Sequence, residues 1–346
     1  MTIETVLLCG DPQQPSEYMY EAASFLESEG VSFSRIDWKG DVSAERFREV
    51  TMEMESRGPS AYDTSIIEER LDGVDALVVH KAPVSASVID AGDSLQVVGA
   101  ARGGVENVDI ETAETNDVAV LHAPGRNKNA VSDYAVSLLL ATVREIPHHT
   151  RALHAGEWSQ EFDPDRLPRD IEAMTIGIVG FGNIGQQVAR RLSGFGPELL
   201  AYDPYQDEAT FDDAGVERAT LDGLLERADA VTLHARLTEE TRELLGEDEL
   251  ARMDQSAILV NSARGGLVDE AALVDALRTG SIAGAALDVF ETEPLPENHP
   301  FLEMENVVLS PHTAGSTRDA VTNGPRMIAE GIESLIGGAD PDNRIA

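Results

Sequence analysis

Residues 175–192, TIGIVGFGNIGQQVARRL, pass from an apolar β-rich run through a glycine turn into an amphipathic segment. The pattern is a strand, then G-x-G-x-x-G at Gly180, Gly182 and Gly185, then a helix. Each glycine has a separate task in such a turn. The first permits the tight bend, the second lets the backbone approach a pyrophosphate, and the third lets helix pack closely on strand. The helix N-terminus then faces the phosphates with unpaired N–H groups and a positive dipole. The following run, ELLAYDP, ends at Asp203, and 203 − 185 places it 18 residues beyond the last glycine, near the usual spacing of about 20. A carboxylate there accepts hydrogen bonds from ribose hydroxyls and repels a 2′-phosphate. PYQDEA supplies no neighbouring cation to offset that repulsion, so NAD is expected in preference to NADP.

The same alternation runs through the whole chain. TVLLCG, VSFSRID, ALVVH, LQVVGAA and VAVLHAP come first, followed by TIGIVGFG, ELLAYDP, AVTLHA, AILVNSA, AGAALDVF and NVVLSPH, with helical patterns such as Ser16 to Ser28 between. Strands apolar on both faces and separated by amphipathic helices belong to covered parallel sheets. The expected fold class is therefore α/β, with two Rossmann-like doubly wound parallel-sheet domains and a cleft between them. A length of 346 residues suits two such domains. The boundary is placed at PGRNKN, before a long helix expected from Val131 to His149. WSQEFDPDRLPRDIEA, Trp158 to Ala173, reads as a surface connection. A last helix, Ala320 to Leu335, is expected to return to the first domain, giving domains of 1–125 plus 319–346 and of 126–318.

In doubly wound sheets, ligands bind beyond the carboxyl ends of the strands. In the second half those ends carry His234, Asn261 to Arg264, Asp288, Glu293 and His312. Reduction of a carbonyl by hydride leaves an oxygen that needs a proton from a group titrating near neutrality, which is the range of histidine. A carboxylate such as Glu293 fixes the imidazole tautomer and favours its charged form. An arginine such as Arg264 grips a substrate carboxylate through its planar fork and polarises the adjacent carbonyl. Arg264, Glu293 and His312 together suit 2-oxo and 2-hydroxy acids.

GFGNIG, VNSARGGLVDE, AGAALDVFETEPL and LSPHTAG, in this order and spacing, resemble the signatures of the D-isomer-specific 2-hydroxyacid dehydrogenases. The resemblance extends to GVENVDIETA and HAPGRNKNAVSDYAVSLLLA. It implies that Arg264 binds substrate, that His312 is the acid/base and that Glu293 is its partner. It also implies that Asn183, Ile184, Asp203, Pro204, His234, Ala235, Ala263, Asp288 and Gly315 line the NAD site with the glycine turn. The backbone of Gly103 and Gly104 would meet the substrate carboxylate, in a flavodoxin-like substrate domain. A homodimer formed through the nucleotide domain and its crossover helix is implied as well. For Asp288, binding its own loop is the alternative to touching NAD.

The chain departs from the family pattern in places. GAARGG has Ala100 where members acting on phosphoglycerate usually carry arginine, which weakens that substrate assignment, and Arg102 stands on a glycine position. The chain ends soon after its last helix, so appended regulatory domains are not expected. LHARLTEET has Ala235 and Arg236 in place of the commoner Cys-Pro. His80 and Lys81 are candidate substrate contacts by strand-end position alone, and Lys81 is retained as one. His122 is expected to be structural, His148, His149 and His154 solvated or interfacial, and His299 to lie on a loop surface. An NAD sensor that binds a regulatory protein partner is the competing reading.

Composition bounds the partners. With 63 acidic and 26 basic residues the formal charge is −37, which repels phosphate backbones, so no nucleic acid is expected. This balance resembles that of proteins from salt-loaded cytoplasms, and a halophilic, salt-requiring fold is expected. MTIETVLLCGDP reads as a first strand, not a leader, and AVSLLLATV is too short to cross a bilayer. A cytoplasmic enzyme without membrane contact is the expectation. The single cysteine, Cys9, excludes an internal disulfide, and no spacing suggests a metal site.

Overall fold

The computed structural model describes residues 1–158 and 167–346. Two compact units are present, Met1–Asn127 with Thr317–Ala346, and Lys128–Ser316. Half of the connection expected at 158–173 lies outside the described residues, at 159–166.

The first unit is a 5-stranded parallel sheet of β1 (Thr5–Gly10), β2 (Ser32–Asp37), β3 (Ala76–Val79), β4 (Val97–Ala100) and β5 (Ala119–His122), in the order β2-β1-β3-β4-β5. Alternate residues of β1 feed opposite layers. Leu7 and Cys9 enter a core with Trp38, Phe47 and Leu71, whereas Val6 and Leu8 enter one with Met19, Leu26, Ile328 and Ile332. Burial on both faces explains why β1, β3, β4 and β5 lack a polar alternation, whereas the edge strand β2 keeps Ser32, Arg35 and Asp37 exposed. The helix Arg318–Ile336 belongs to this second layer, and Gly99 of β4 accommodates it, since a Cβ there would lie 2.2 Å from Ile328 Cγ2. The chain then pairs along β5, with Val120 N–H donating to Ala346 O and His122 N–H to Asn343 O.

The second unit is a 7-stranded sheet, also parallel throughout, of β6 (Thr175–Val179), β7 (Glu198–Tyr202), β8 (Glu217–Arg218), β9 (Ala230–Leu233), β10 (Ile258–Asn261), β11 (Gly284–Leu287) and β12 (Val307–Leu309). Its order, β12-β11-β10-β9-β6-β7-β8, reverses between β6 and β9, which creates the crevice that doubly wound sheets offer to ligands. Strand β8, 2 residues long, has no signature in the sequence.

The long helix expected from Val131 to His149 is two helices. The first, Lys128–Val143, ends before Glu145, which takes φ 51°, and a second runs Ile146–His154. Pro147 stands in the first turn of the second helix, where it has no helical N–H to lose. Among the described residues no helix is long and apolar enough to cross a membrane.

Candidate active site

In the second unit the strand ends carry the expected residues to one edge of the sheet. The turn after β6 fits a pyrophosphate in each of its glycines. Gly180 has φ 90°, and a Cβ on it would lie 2.4 Å from Ala235 N. A Cβ on Gly185 would lie 2.2 Å from Gly180 O, so this contact excludes any side chain. A Cβ on Gly182 would meet no protein atom within 4 Å, which leaves that side of the turn open to a ligand. The helix Asn183–Leu192 starts here with Gly182 as its N-cap, so its first N–H groups point into the open side.

Asp203, after β7, ties the turn down while facing it. Its Oδ2 accepts from Phe181 N–H at 2.7 Å and its Oδ1 from Tyr205 N–H at 2.9 Å. Each oxygen keeps a lone pair for a ribose hydroxyl. His234, after β9, shares a 3.0 Å hydrogen bond between Nε2 and Thr232 Oγ1, and its buried Nδ1 has no partner among the described residues. Burial pushes its pKa down to about 3, so the ring is neutral. An orphaned buried ring nitrogen beside an open glycine turn fits a bound dinucleotide. Asn183 and Pro204 are exposed at this edge, and Ile184, Ala235, Ala263 and Gly315 are half-buried.

The loop after β12 carries His312 in the left-handed region, φ 53°, a conformation that costs a non-glycine residue free energy and that surrounding contacts must enforce. Asp288, at the end of β11 and fully buried, supplies them. Its Oδ1 accepts from Ser310 Oγ at 2.6 Å and Thr313 N–H at 2.9 Å, and its Oδ2 from Ala314 N–H at 2.8 Å. Of the two parts open to Asp288, this geometry carries the holding of its loop. His312 Nδ1 donates to Glu293 Oε2 at 2.7 Å, and Glu293 Oε1 accepts from Phe290 N–H at 3.2 Å. An ionised carboxylate can only accept, so the ring proton sits on Nδ1 and Nε2 faces outward. The imidazole is 38% exposed against 18% for the carboxylate, which leaves it within reach of a ligand.

Arg264, exposed after β10, rests on a peptide shaped by Asn261. That side chain donates to Arg264 O at 2.9 Å and accepts from Ala263 N–H at 3.0 Å. Gly265 then touches the neighbouring loop directly, since a Cβ there would lie 2.0 Å from Phe290 C. Backbone contact of this kind fixes the Arg264 loop against the Glu293 loop. Asn261 was visible only as part of a strand-end stretch, and nothing in the sequence announced the contact at Gly265.

In the first unit, Lys81 follows β3, and Gly103 and Gly104 follow β4. His80 is buried, with Nδ1 3.0 Å from Asp11 Oδ2, which also accepts from Lys81 N–H at 3.0 Å. Burial holds the His80 pKa below the ordinary histidine range despite that carboxylate. His122 Nδ1 lies 3.0 Å from Gly103 O and braces the glycine loop. His299 is not on a loop surface, as the sequence suggested. Its side chain is 15% exposed and lies 2.9 Å from Glu270.

Comparison with known proteins places these features. Residues 136–314 match the family model described as D-isomer specific 2-hydroxyacid dehydrogenase, NAD binding domain. Glyoxylate reductase of Korarchaeum cryptofilum is 40% identical over 282 residues, 81% of this chain and 85% of that protein. D-3-phosphoglycerate dehydrogenase of Methanocaldococcus jannaschii is 39% identical over 80% of this chain, which spans 52% of that longer protein. The NAD-complexed D-isomer specific 2-hydroxyacid dehydrogenase of Lactobacillus delbrueckii ssp. bulgaricus shares the fold, with a TM-score of 0.80 at 22% identity over 99% of this chain and 100% of that one. By its family match and its relatives, the chain belongs to the D-isomer-specific 2-hydroxyacid dehydrogenases and is an NAD-dependent enzyme of that family.

Proposed function

We propose that the protein interconverts a small 2-oxo acid and its D-2-hydroxy acid, with His312 as acid/base, Glu293 as its partner and Arg264 as the group that binds and polarises the substrate. The carrying observation is the 2.7 Å bond from His312 Nδ1 to Glu293 Oε2 on a backbone held at φ 53°. NAD(H), when bound, exchanges the hydride with the carbon that carries the oxygen. In reduction, His312 enters as imidazolium and gives the Nε2 proton to that oxygen, and Glu293 stabilises the charged ring beforehand. In oxidation, neutral Nε2 takes the hydroxyl proton. Arg264 offers two parallel N–H groups to the carboxylate and draws charge from the neighbouring carbonyl.

Gly180, Gly182, Gly185, Asn183 and Ile184 are read as the pyrophosphate cradle, Asp203 and Pro204 as the ribose edge, and His234, Ala235, Ala263 and Gly315 as the remaining NAD lining. Asp288 acts through the loop it holds. Gly103, Gly104 and Lys81 are read as substrate contacts of the first unit. Exposed apolar side chains at Ile146, Leu153 and Trp158 on the crossover segment support a homodimer through that face, and a cytoplasmic, salt-adapted setting is part of the same reading.

The test is NADH consumption with a panel of 2-oxo acids in molar KCl, for the wild type and His312→Ala. Rapid reduction of one acid, abolished in the variant, is the expected outcome. Tight NADH binding without turnover of any acid would transfer the assignment to a sensor of NAD that engages a protein partner.

A further inference from the structure

The loop that carries Glu293 is anchored by a second carboxylate and histidine. Glu270, first residue of the helix Glu270–Thr279, receives His299 Nε2 on Oε1 at 2.9 Å and Glu291 N–H on Oε2 at 3.0 Å. His299 Nδ1 accepts from Phe301 N–H at 3.3 Å. That bond fixes the tautomer, because a ring accepting on Nδ1 carries its proton on Nε2 and gives it to Glu270. Both partners are well shielded, with His299 15% and Glu270 16% exposed, and the ring lies 4.7 Å from that of buried Phe301.

The peptide gripped in this way is a junction. Its Glu291 N–H is held by Glu270, its Phe290 carbonyl carbon is packed against Gly265, and Phe290 N–H binds Glu293 Oε1. Glu270 also lines one small cavity with Asn261, Gly265 and Phe301. Arg264 therefore lies one residue from the junction on one side, and Glu293 two residues from it on the other.

We infer that Glu270 and His299 are positioning residues for catalysis, a relay from His299 through Glu270 to the Phe290–Glu291 peptide that sets Glu293, and through it His312, relative to Arg264. The inference rests on the reading of Glu293 and His312 as the acid/base pair. Glu270 needs two acceptor atoms, since it receives two donors. Glutamine at 270 turns one of them into a donor facing either Glu291 N–H or His299 Nε2–H. A tautomer change at His299 gives no escape, because it would set Nδ1–H against Phe301 N–H.

The test uses Glu270→Gln, His299→Asn and His299→Gln in the full chain, with kcat, KM, the pH profile of 2-oxo acid reduction, NADH binding and thermal midpoint measured for each. Asparagine at 299 keeps the acceptor for Phe301 N–H and loses the donor to Glu270, whereas glutamine reaches as far as Nε2 and keeps that donor. Glu270→Gln and His299→Asn are expected to lower kcat between about tenfold and a hundredfold, the effect of a small misplacement of reacting groups. Their pH profile should differ from that of the wild type, because the Glu293 carboxylate no longer meets His312 Nδ1 in the same place. NADH binding should stay as in the wild type, and His299→Gln should recover most of the loss.

Wild-type kcat and pH profile in Glu270→Gln would overturn the inference, as would a His299→Gln no better than His299→Asn. If His299→Asn fails to fold, Glu270→Gln decides by the same readouts. His312→Asn, measured alongside, separates the two levels. Turnover surviving there overturns the acid/base reading and the relay with it. Turnover lost there but intact in Glu270→Gln overturns the relay alone.

Discussion

Ser310 Oγ donates to Asp288 Oδ1 at 2.6 Å, beneath the loop that bends His312 into the left-handed region. With Thr313 and Ala314 N–H groups on the same carboxylate, the buried charge is satisfied entirely by the segment it shapes. Asp288→Asn turns one acceptor into a donor against those N–H groups, and a buried mispaired polar group costs about 1–3 kcal/mol. A lower thermal midpoint with a larger fall in kcat than in NADH affinity is expected from differential scanning calorimetry and steady-state kinetics. Unchanged kcat would show that the His312 loop holds its shape without Asp288.

Two glycines of the same turn should respond oppositely to a methyl group. At Gly182 an added Cβ meets no protein atom within 4 Å, whereas at Gly185 it lies 2.2 Å from Gly180 O. Gly182→Ala is expected to keep its stability within about 1 kcal/mol, as substitutions that touch nothing do, and to lose NADH affinity by about tenfold or more because the methyl occupies the phosphate's side of the turn. Gly185→Ala should fail to fold or melt much earlier. Titration by NADH fluorescence and a melting curve for each variant check both halves. Wild-type NADH affinity in Gly182→Ala would remove this turn from the cofactor site.

Much of this was legible beforehand, and the exceptions share a cause. Continuous apolar runs betrayed β1, β6 or β11 because both faces of each are buried, and the glycine turn was readable because its spacing is local. Strand β8 escaped because a pair of residues, Glu217 and Arg218, has no periodicity. The break at Glu145 did leave a signal, Pro147, which has no N–H to give to the Val143 carbonyl and so cannot continue the first helix. The side-chain pairings were hidden. Glu270 meets His299, and Asp11 meets His80, across stretches of chain that only the order of strands brings together. A polar residue at a strand end points to a site in the first approximation, yet sequence cannot tell a ligand contact from a partner buried under the loop.

His234 predicts a pH dependence of stability. Its pKa is pushed down from 6.5 to about 3 by burial, whereas the unfolded chain regains the ordinary value. As pH falls below about 6.5 the unfolded state takes the proton first. Stability contributed by this residue is complete above that pH and is lost toward about 3, at no more than about 1.4 kcal/mol per unit. His234→Gln, which keeps a group near Thr232 Oγ1, should flatten the dependence between pH 6 and 4 (about that window) in urea unfolding at constant KCl. An unchanged slope would assign acid sensitivity to other groups.

A formal charge of −37 predicts a salt requirement. Carboxylate repulsion is screened to about 3 Å at 1 M salt and acts over roughly 10 Å at 0.1 M. The thermal midpoint should rise steeply with KCl between these concentrations, and more than it does in sodium-free buffer of equal osmolality made with sucrose. A midpoint that is flat or falls with KCl would contradict salt adaptation.

The return of residues 317–346 to the first unit bears on how the chain is made. As it leaves the ribosome, the strands β1 to β5 emerge first with Met19 and Leu26, but the part of the layer supplied by Ile328 and Ile332, which meets Gly99, is still to come. The segment 128–316, begun later, is complete sooner. The nascent first sheet therefore waits with a partly covered apolar face until the last helix is made, and transiently exposed apolar surface of this kind favours aggregation. A chain truncated before residue 317 would leave the part of that face under Ile328 and Ile332 open in the finished product.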